Sequence, residues 1–90
     1  MNIQRKIVVR GKVQGVGFRN ATWRKAMELG IRGSVRNLDD GSVEILASAT
    51  DKEFIIFANW CREGPSHARV DRLEISELDQ TGFTDFSIDD

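Results

Sequence analysis

Positions 3–19 read IQRKIVVRGKVQGVGFR, a strand pattern that runs through a glycine-rich turn towards a helix. Apolar and polar residues alternate from 3 to 13, with Ile3, Ile7 and Val9 on one face, which is typical of a half-buried strand. Three glycines then fall between positions 11 and 17. Because glycine lets the backbone bend sharply, a loop is predicted between the strand and the helix.

A helix and a second strand follow this loop. Trp23, Ala26 and Met27 stand at the spacing of one helical face and predict an apolar stripe. Gly30 suits the position just beyond a helix, where a positive φ is needed. Residues 31–38 alternate again and predict a strand that points Val35 inward.

The middle of the chain contains a hairpin and the start of a second helix. The DDG sequence at 39–41 is typical of a hairpin turn, and the return strand covers 42–49. Thr50 and Glu53 form a capping-box pattern, in which both side chains can bond free amides at a helix start. Phe54, Phe57, Ala58 and Cys61 give that helix an apolar stripe, and the glycine and proline at 64–65 end it.

The last elements are a long strand over about 68–78, with a bulge near Asp71 and Arg72, and a short edge strand marked by Phe83, Phe86 and Ile88. The chain order is therefore β-α-β-β-α-β plus an edge strand. This order consists of two β-α-β halves, and two halves of this kind usually place both helices on one face of an antiparallel sheet. We predict an α+β fold, a ferredoxin-like α/β sandwich, in one domain over residues 1–90.

Composition and charge exclude several classes of function. The formal net charge is −1, without the basic stripe of a nucleic-acid binder. No apolar run approaches the roughly 18 residues that span a bilayer, and the N-terminus lacks the pattern of a signal peptide. Cys61 and His67 are the only residues of their types, which is too few for a usual zinc site. We therefore expect a cytoplasmic protein that binds neither nucleic acid nor membrane.

The loop from Gln14 to Arg19 carries the functional signal. Glycines let successive backbone amides point inward as an anion-binding nest, and a helix N-terminus adds unsatisfied amides and partial positive charge. The spacing Gly-x-x-x-Gly-x-Gly matches neither the P-loop nor the dinucleotide fingerprint. Arg19 opposes the helix dipole unless an anion binds there, and its guanidinium can engage two phosphate oxygens. A purely structural turn with a solvated arginine is the alternative interpretation.

Asn37 is the second candidate residue. It ends the second strand, and a βαβ connection runs this strand parallel to the first one in the same sheet. Arg19 and Asn37 can therefore meet at one edge, where an amide could hold a water by donating and accepting hydrogen bonds. Ordinary turn chemistry is the alternative role for an asparagine at this position.

Two stretches resemble the signatures of the acylphosphatase family. They are GKVQGVGFR at 11–19 and GSVRNLDDGSV at 33–43. The glycine and proline at 64–65, followed by ARV at 68–70, are similar to the family's connection into its fourth strand. The similarity covers nearly the whole chain, and Ser34 is a departure because the family usually carries an aromatic residue there.

The resemblance implies an enzyme that hydrolyses the carboxyl–phosphate bond of acyl phosphates without a metal or cofactor. Arg19 would clamp the phosphoryl group and Asn37 would orient the attacking water. The backbone amides of the loop would hold the phosphoryl oxygens, through Gln14, Gly15, Val16, Gly17 and Phe18. Inorganic phosphate would be a product and an inhibitor, and we expect a monomer.

Two other functions stay open from the sequence. The first is a non-catalytic ferredoxin-like module that binds a small anion or a protein partner, which would keep the nest but lack turnover. The second is a domain like the N-terminal part of hydrogenase-maturation carbamoyl-transfer proteins. Those chains continue into cysteine-rich zinc motifs, whereas this sequence has one cysteine, which argues against this second function.

Overall fold

A computed structural model describes residues 2–89 and shows five strands and two helices. Every predicted element is present, and most bounds agree to within a residue or two. The elements, in chain order, are β1 (Ile3–Lys12), α1 (Phe18–Leu29), β2 (Arg32–Asn37), β3 (Val43–Ala49), α2 (Asp51–Glu63), β4 (Arg69–Glu77) and β5 (Phe86–Ile88).

The strands form one sheet in the order β4-β1-β3-β2-β5. The four long strands pair antiparallel, as predicted for a ferredoxin-like sandwich. The edge strand β5 pairs parallel with β2, so that the complete sheet is mixed. The predicted edge strand is shorter than expected, because Phe83 lies before β5 in the connecting segment.

The core lies between the two helices and one face of the sheet. Ile7, Val9, Val35 and Ile45 come from three neighbouring strands, and each is 0% exposed. Phe57 of α2 is equally buried and belongs to the same cluster. The period-two alternation of the strands therefore predicts the buried face correctly, because a pleated strand points successive side chains to opposite faces.

The opposite face of the sheet carries charged side chains and a hollow. Glu44 lies within 4.0 Å of Lys6 and within 2.9 Å of Arg36 across neighbouring strands. Ser34 lies on this face, as predicted from its phase, and lines a hollow of about 420 Å³. Phe83 lines the same hollow, so the segment before β5 contributes an aromatic ring on the face where Ser34 has none.

The predicted apolar stripe of α1 is wrong at Met27, whereas Trp23 is partly covered, which agrees with a half-exposed position. Trp23 is 38% exposed and Met27 is 54% exposed, whereas Phe18, Thr22 and Ala26 form the buried face. The small side chains of Thr22 and Ala26 let the helix lie close to the sheet. Trp23 instead sits half-buried near the sheet edge, where its indole Nε1 donates a hydrogen bond to the Phe86 carbonyl at 3.1 Å.

The predicted bulge lies in β4. Arg10 pairs with Arg72, and the next residue, Gly11, pairs with Val70. Asp71 is therefore the extra residue that changes the phase of the strand, which explains why Val70 does not alternate with the residues after it. No helix within residues 2–89 combines the length and apolar character of a membrane span.

The capping box at the start of α2 is present in full. The Glu53 amide donates to Thr50 Oγ1 at 3.2 Å, and the Thr50 amide donates to Glu53 Oε1 at 3.1 Å. Asp51 and Glu53 also place negative charge in the first turn, where the helix dipole is positive. The N-terminus of α2 is thus satisfied by its own side chains.

Replacing Thr50 with alanine is expected to lower the free energy of unfolding by about 1 kcal/mol, because one N-cap bond is lost. Urea denaturation followed by tryptophan fluorescence measures this change. Thr81→Ala is the matched control, since Thr81 is exposed in the segment between β4 and β5. Equal stability of the two variants would contradict a contribution from the cap.

Candidate active site

The loop between β1 and α1 curls as the glycine pattern predicts. Gly15 and Gly17 have φ values of 74° and 79°, in the left-handed region that other residues rarely adopt. A Cβ atom at either position would meet no atom within 4 Å, so backbone conformation, not crowding, requires glycine. Left-handed residues within a turn let successive amides converge on one point, which is the geometry of an anion nest.

The first turn of α1 differs from that of α2. Gly17 is the N-cap residue of α1, no side chain caps this end, and no acidic residue lies in the first turn. The N-terminal amides of a helix lack partners within the helix. The two helices therefore contrast, since α2 satisfies its N-terminus internally and α1 leaves its own available to an anion.

Phe18 anchors this loop to the core. Its side chain is 1% exposed, and its ring centroid lies 5.8 Å from that of Trp60 on α2. An aromatic anchor directly after Gly17 holds the start of α1 in place. The amides of the loop are thus fixed on a rigid part of the fold.

The glycine-rich loop opens onto a cavity of about 130 Å³. Arg19 and Asn37, predicted from positions 18 residues apart, both line it. Gln14 and Val16 do not line the cavity, although they were predicted as members of the phosphate-binding loop. The complete lining is Val13, Gly15, Gly17, Phe18, Arg19, Asn20, Asn37 and Ile88.

Gln14 and Val16 take other positions. The Gln14 side chain donates from Nε2 to the Leu38 and Ser42 carbonyls, each at 2.8 Å. Val16 is partly buried against the core. Only their backbone amides can therefore belong to the predicted cradle.

Arg19 lies at the junction of α1 and β5. Its Nη1 donates to the Asp89 carbonyl at 3.2 Å. The Asp89 amide in turn donates to the Val35 carbonyl at 2.8 Å, so this end of β5 is held on β2. The guanidinium is therefore placed by the strand that borders the cavity as well as by its own helix.

The sheet explains how Asn37 reaches the loop. Val43 of β3 pairs with Val9 of β1 on one side and with Asn37 on the other. Asn37 thus lies level with Val9, about 10 Å away across two strand spacings, on the part of the sheet that leads into the end of β1 at Lys12. The Asn37 Oδ1 atom is buried and has no hydrogen-bond partner among the described residues. Buried polar atoms usually have a partner, so this amide is a candidate for a functional contact.

The hairpin that follows Asn37 is held by a network around Asp40. The Ser42 hydroxyl and amide both donate to the Asp40 carboxylate, and Arg10 Nη1 lies 3.0 Å from it. The Ser42 side chain, the Ser42 amide and Arg10, in that order, lower the pKa of Asp40 to about 2. The carboxylate is therefore ionised at neutral pH, and its stabilising effect is lost only as the pH falls from about 4 towards 2.

The two residues that the sequence analysis set aside lie away from the cavity. Cys61 is fully buried on α2, and burial raises the pKa of its thiol to about 12. A thiol of this kind is not a nucleophile at neutral pH. His67 is exposed in the connection before β4. Across residues 2–89, no three His, Cys, Asp or Glu side chains cluster in a way that could hold a metal ion.

Three further residues line the cavity and were not predicted from the sequence, which are Val13, Asn20 and Ile88. Val13 and Asn20 flank the loop, so proximity in sequence was an available signal. Ile88 has no such signal, because it reaches the cavity through the parallel pairing of β5 with β2.

Comparison with known proteins identifies the family of this chain. The sequence model of the acylphosphatase family matches residues 5–88. An acylphosphatase from Pasteurella multocida (strain Pm70) is 42% identical over 87 residues, which cover 96% of this chain and 97% of the relative. The solved acylphosphatase of Coxiella burnetii superposes with a TM-score of 0.93 at 35% identity, covering 98% of this chain and 93% of that one. The Bacillus subtilis acylphosphatase gives 0.91 at 36% identity and 98% coverage of both chains. The chain therefore belongs to the acylphosphatase family, whose members are hydrolases that cleave acyl phosphates.

Proposed function

We propose that this protein hydrolyses acyl phosphates by direct attack of water on a phosphoryl group held at the glycine-rich loop. One observation carries the assignment of the site: Arg19 and Asn37 line the same cavity as Gly15 and Gly17, at the uncapped start of α1. Family membership supports the reaction, and this geometry supports the roles of the residues.

The phosphoryl group would bind to the backbone amides from Gln14 to Phe18. These amides need no reorganisation during the reaction, because the glycine conformations and the buried Phe18 ring fix them. Arg19 supplies the full positive charge, and its planar guanidinium matches two phosphoryl oxygens. Amide dipoles and one guanidinium together stabilise the charge on the transferring group.

Asn37 would position the attacking water. Its amide carries both a donor and an acceptor, so it can hold a water oxygen and accept one of the water's protons in a hydrogen bond. The last torsion of an asparagine side chain is broad and roughly two-fold, so either end of the amide can face the cavity. The buried Asn37 Oδ1 atom has no hydrogen-bond partner among residues 2–89, and the water would supply one.

The chemistry requires little beyond this arrangement. The water oxygen forms a bond to phosphorus while the bond from phosphorus to the acyl oxygen breaks, and the carboxylate leaves with that electron pair. One proton of the water passes to a phosphoryl oxygen, giving inorganic phosphate. A carboxylate is a good leaving group, and a loose phosphoryl-transfer transition state depends mainly on positioning and charge stabilisation. Val13 and Ile88 add apolar surface to the cavity, which suits the carbon part of the acyl group.

The assay that tests this function is hydrolysis of benzoyl phosphate, followed by absorbance, with release of inorganic phosphate measured in parallel. Turnover above the spontaneous rate supports the enzyme, and inorganic phosphate is expected to inhibit competitively. Phosphate binding without turnover would instead identify a non-catalytic anion-binding module.

Excess chelator is expected to leave this turnover unchanged. The proposed charge stabilisation comes from Arg19 and backbone amides, so no step needs a divalent cation. The measurement compares initial rates with and without millimolar EDTA after dialysis. Loss of activity with EDTA that magnesium restores would contradict the metal-independent mechanism.

We further propose that the protein acts as a cytoplasmic monomer on a small substrate, without nucleic-acid or membrane partners. The net charge of −1, without a basic stripe, supports the absence of a nucleic-acid partner. Light scattering coupled to size-exclusion chromatography tests the monomer, and cell fractionation tests the location.

A further inference from the structure

The Gln14 side chain makes two hydrogen bonds that the proposed chemistry does not use. Its Nε2 donates to the Leu38 carbonyl and to the Ser42 carbonyl, each at 2.8 Å. These bonds are partly buried and connect residues 24 and 28 positions apart. A single amide thus connects the glycine-rich loop to the hairpin that follows β2.

The two carbonyls are the ones that close the hairpin turn. The Leu38 amide donates to the Ser42 carbonyl at 2.9 Å, and the Gly41 amide donates to the Leu38 carbonyl at 3.2 Å. Gln14 therefore binds both ends of the turn at once. Asn37 is the residue directly before this turn, so whatever holds the turn also limits the movement of Asn37.

We infer that Gln14 is a positioning residue, whose side chain holds Asn37 at a fixed distance from the phosphoryl group that the loop binds. The inference rests on the proposed function, because it gives Asn37 the role described above. The backbone and side chain of Gln14 then have different roles. The backbone amide belongs to the phosphate-binding loop, and the side chain aligns Asn37 with that loop.

Loss of these bonds should affect catalysis more than folding. Each carbonyl keeps its second hydrogen bond within the turn when Gln14 is replaced, so no buried acceptor is left without a partner. The turn also keeps the Asp40 network with Ser42 and Arg10. What is lost is the alignment between two chain segments, and small misplacements of reacting groups are costly in rate.

The test is Gln14→Met, which keeps the length and the backbone amide but removes the side-chain donor. We expect kcat for benzoyl phosphate to fall about 10-fold, within the range that misplacement of about 1 Å causes. The inhibition constant of inorganic phosphate should stay within about two-fold, because the cradle and Arg19 are unchanged. The matched control is Gln4→Met, since Gln4 Nε2 donates to Ser48 Oγ at 3.1 Å and lies outside the cavity lining. The control should keep wild-type kcat.

A double-mutant cycle with Asn37→Ala separates positioning from general structural support. If Gln14 acts through Asn37, Gln14→Met should lower kcat by less than about two-fold when Asn37 is already alanine. An equal loss in both backgrounds, or wild-type kcat in the single variant, would overturn the inference. If Gln14→Met does not fold, Gln14→Asn, which is one methylene too short to reach both carbonyls, replaces it in the same cycle. Absence of turnover in the wild-type protein would refute the proposed function itself, which distinguishes the two failures.

Discussion

Arg19→Ala is expected to reduce the turnover of benzoyl phosphate by at least about 100-fold, the loss typical of deleting one donor to a developing anionic charge. Among the described residues that line the cavity, Arg19 alone carries a full positive charge. Its removal leaves backbone dipoles alone to stabilise the transferring phosphoryl group. Inhibition by inorganic phosphate should weaken as well, because the same guanidinium holds the product.

The loss of activity should come without a loss of stability. A cation in the first turn of a helix opposes the helix dipole, by a few tenths of a kcal/mol. The hydrogen bond from Arg19 to the Asp89 carbonyl is exposed, and exposed contacts of a charged side chain contribute little to stability. The free energy of unfolding should therefore change by less than about 1 kcal/mol. Such a pattern marks a residue that serves function and not folding.

Arg24→Ala is the matched control for this experiment. Arg24 is exposed on the same helix and does not line the cavity, so its replacement changes the net charge equally. The control should keep wild-type turnover. Near-normal turnover of Arg19→Ala itself would show that the assigned role of Arg19 is wrong.

Asn37→Ala is the second large effect, with kcat expected to fall by about 100-fold, as for misplacement of a reacting group by about 1 Å. The phosphoryl group would still bind to the loop and Arg19. The inhibition constant of inorganic phosphate should therefore change by less than about two-fold. Steady-state kinetics with benzoyl phosphate, with and without phosphate, separates the two quantities.

The control for Asn37 is Asn59→Ala, an exposed asparagine on α2 that contacts Arg62 and not the cavity. Asn59→Ala should leave both constants unchanged. Unchanged kcat in Asn37→Ala, together with weaker inhibition by phosphate, would make Asn37 a binding residue. Isosteric Asn37→Asp adds a further check, because a carboxylate near the phosphoryl group should weaken phosphate binding by charge repulsion.

The N-termini of the two helices differ in how well their residues suit a helix start. Thr50 and Glu53 close the N-terminus of α2 with a complete capping box. Gly17 and Arg19 leave the N-terminus of α1 without a side-chain cap and with an unfavourable charge. A sequence that breaks a local rule at one helix and obeys it at the other supports the proposal that the start of the first helix serves function.

Local patterns in the sequence account for most of the fold. The alternation of β1, β2 and β3, the hairpin at 39–41 and the α2 cap depend on neighbouring residues, so they can be predicted from short stretches. The glycine-rich loop and Arg19 belong to this class, since chain order alone places them between a strand and a helix. The predicted stripe of α1 failed at Met27 because the exposure of Met27 and the burial of Thr22 depend on how closely the helix packs on the sheet.

The completed site depends on contacts between distant segments. Ile88 reaches the cavity, and the Asp89 carbonyl reaches Arg19, because β5 pairs parallel with β2. The three residues of β5 do not by themselves predict this pairing. The two bonds of Gln14 likewise exist only once the hairpin stands beside the loop. Residue type predicted which groups could bind phosphate and water, since that chemistry belongs to the side chains and glycines themselves. Their alignment required the folded sheet, because strand pairing sets distances that no local pattern contains.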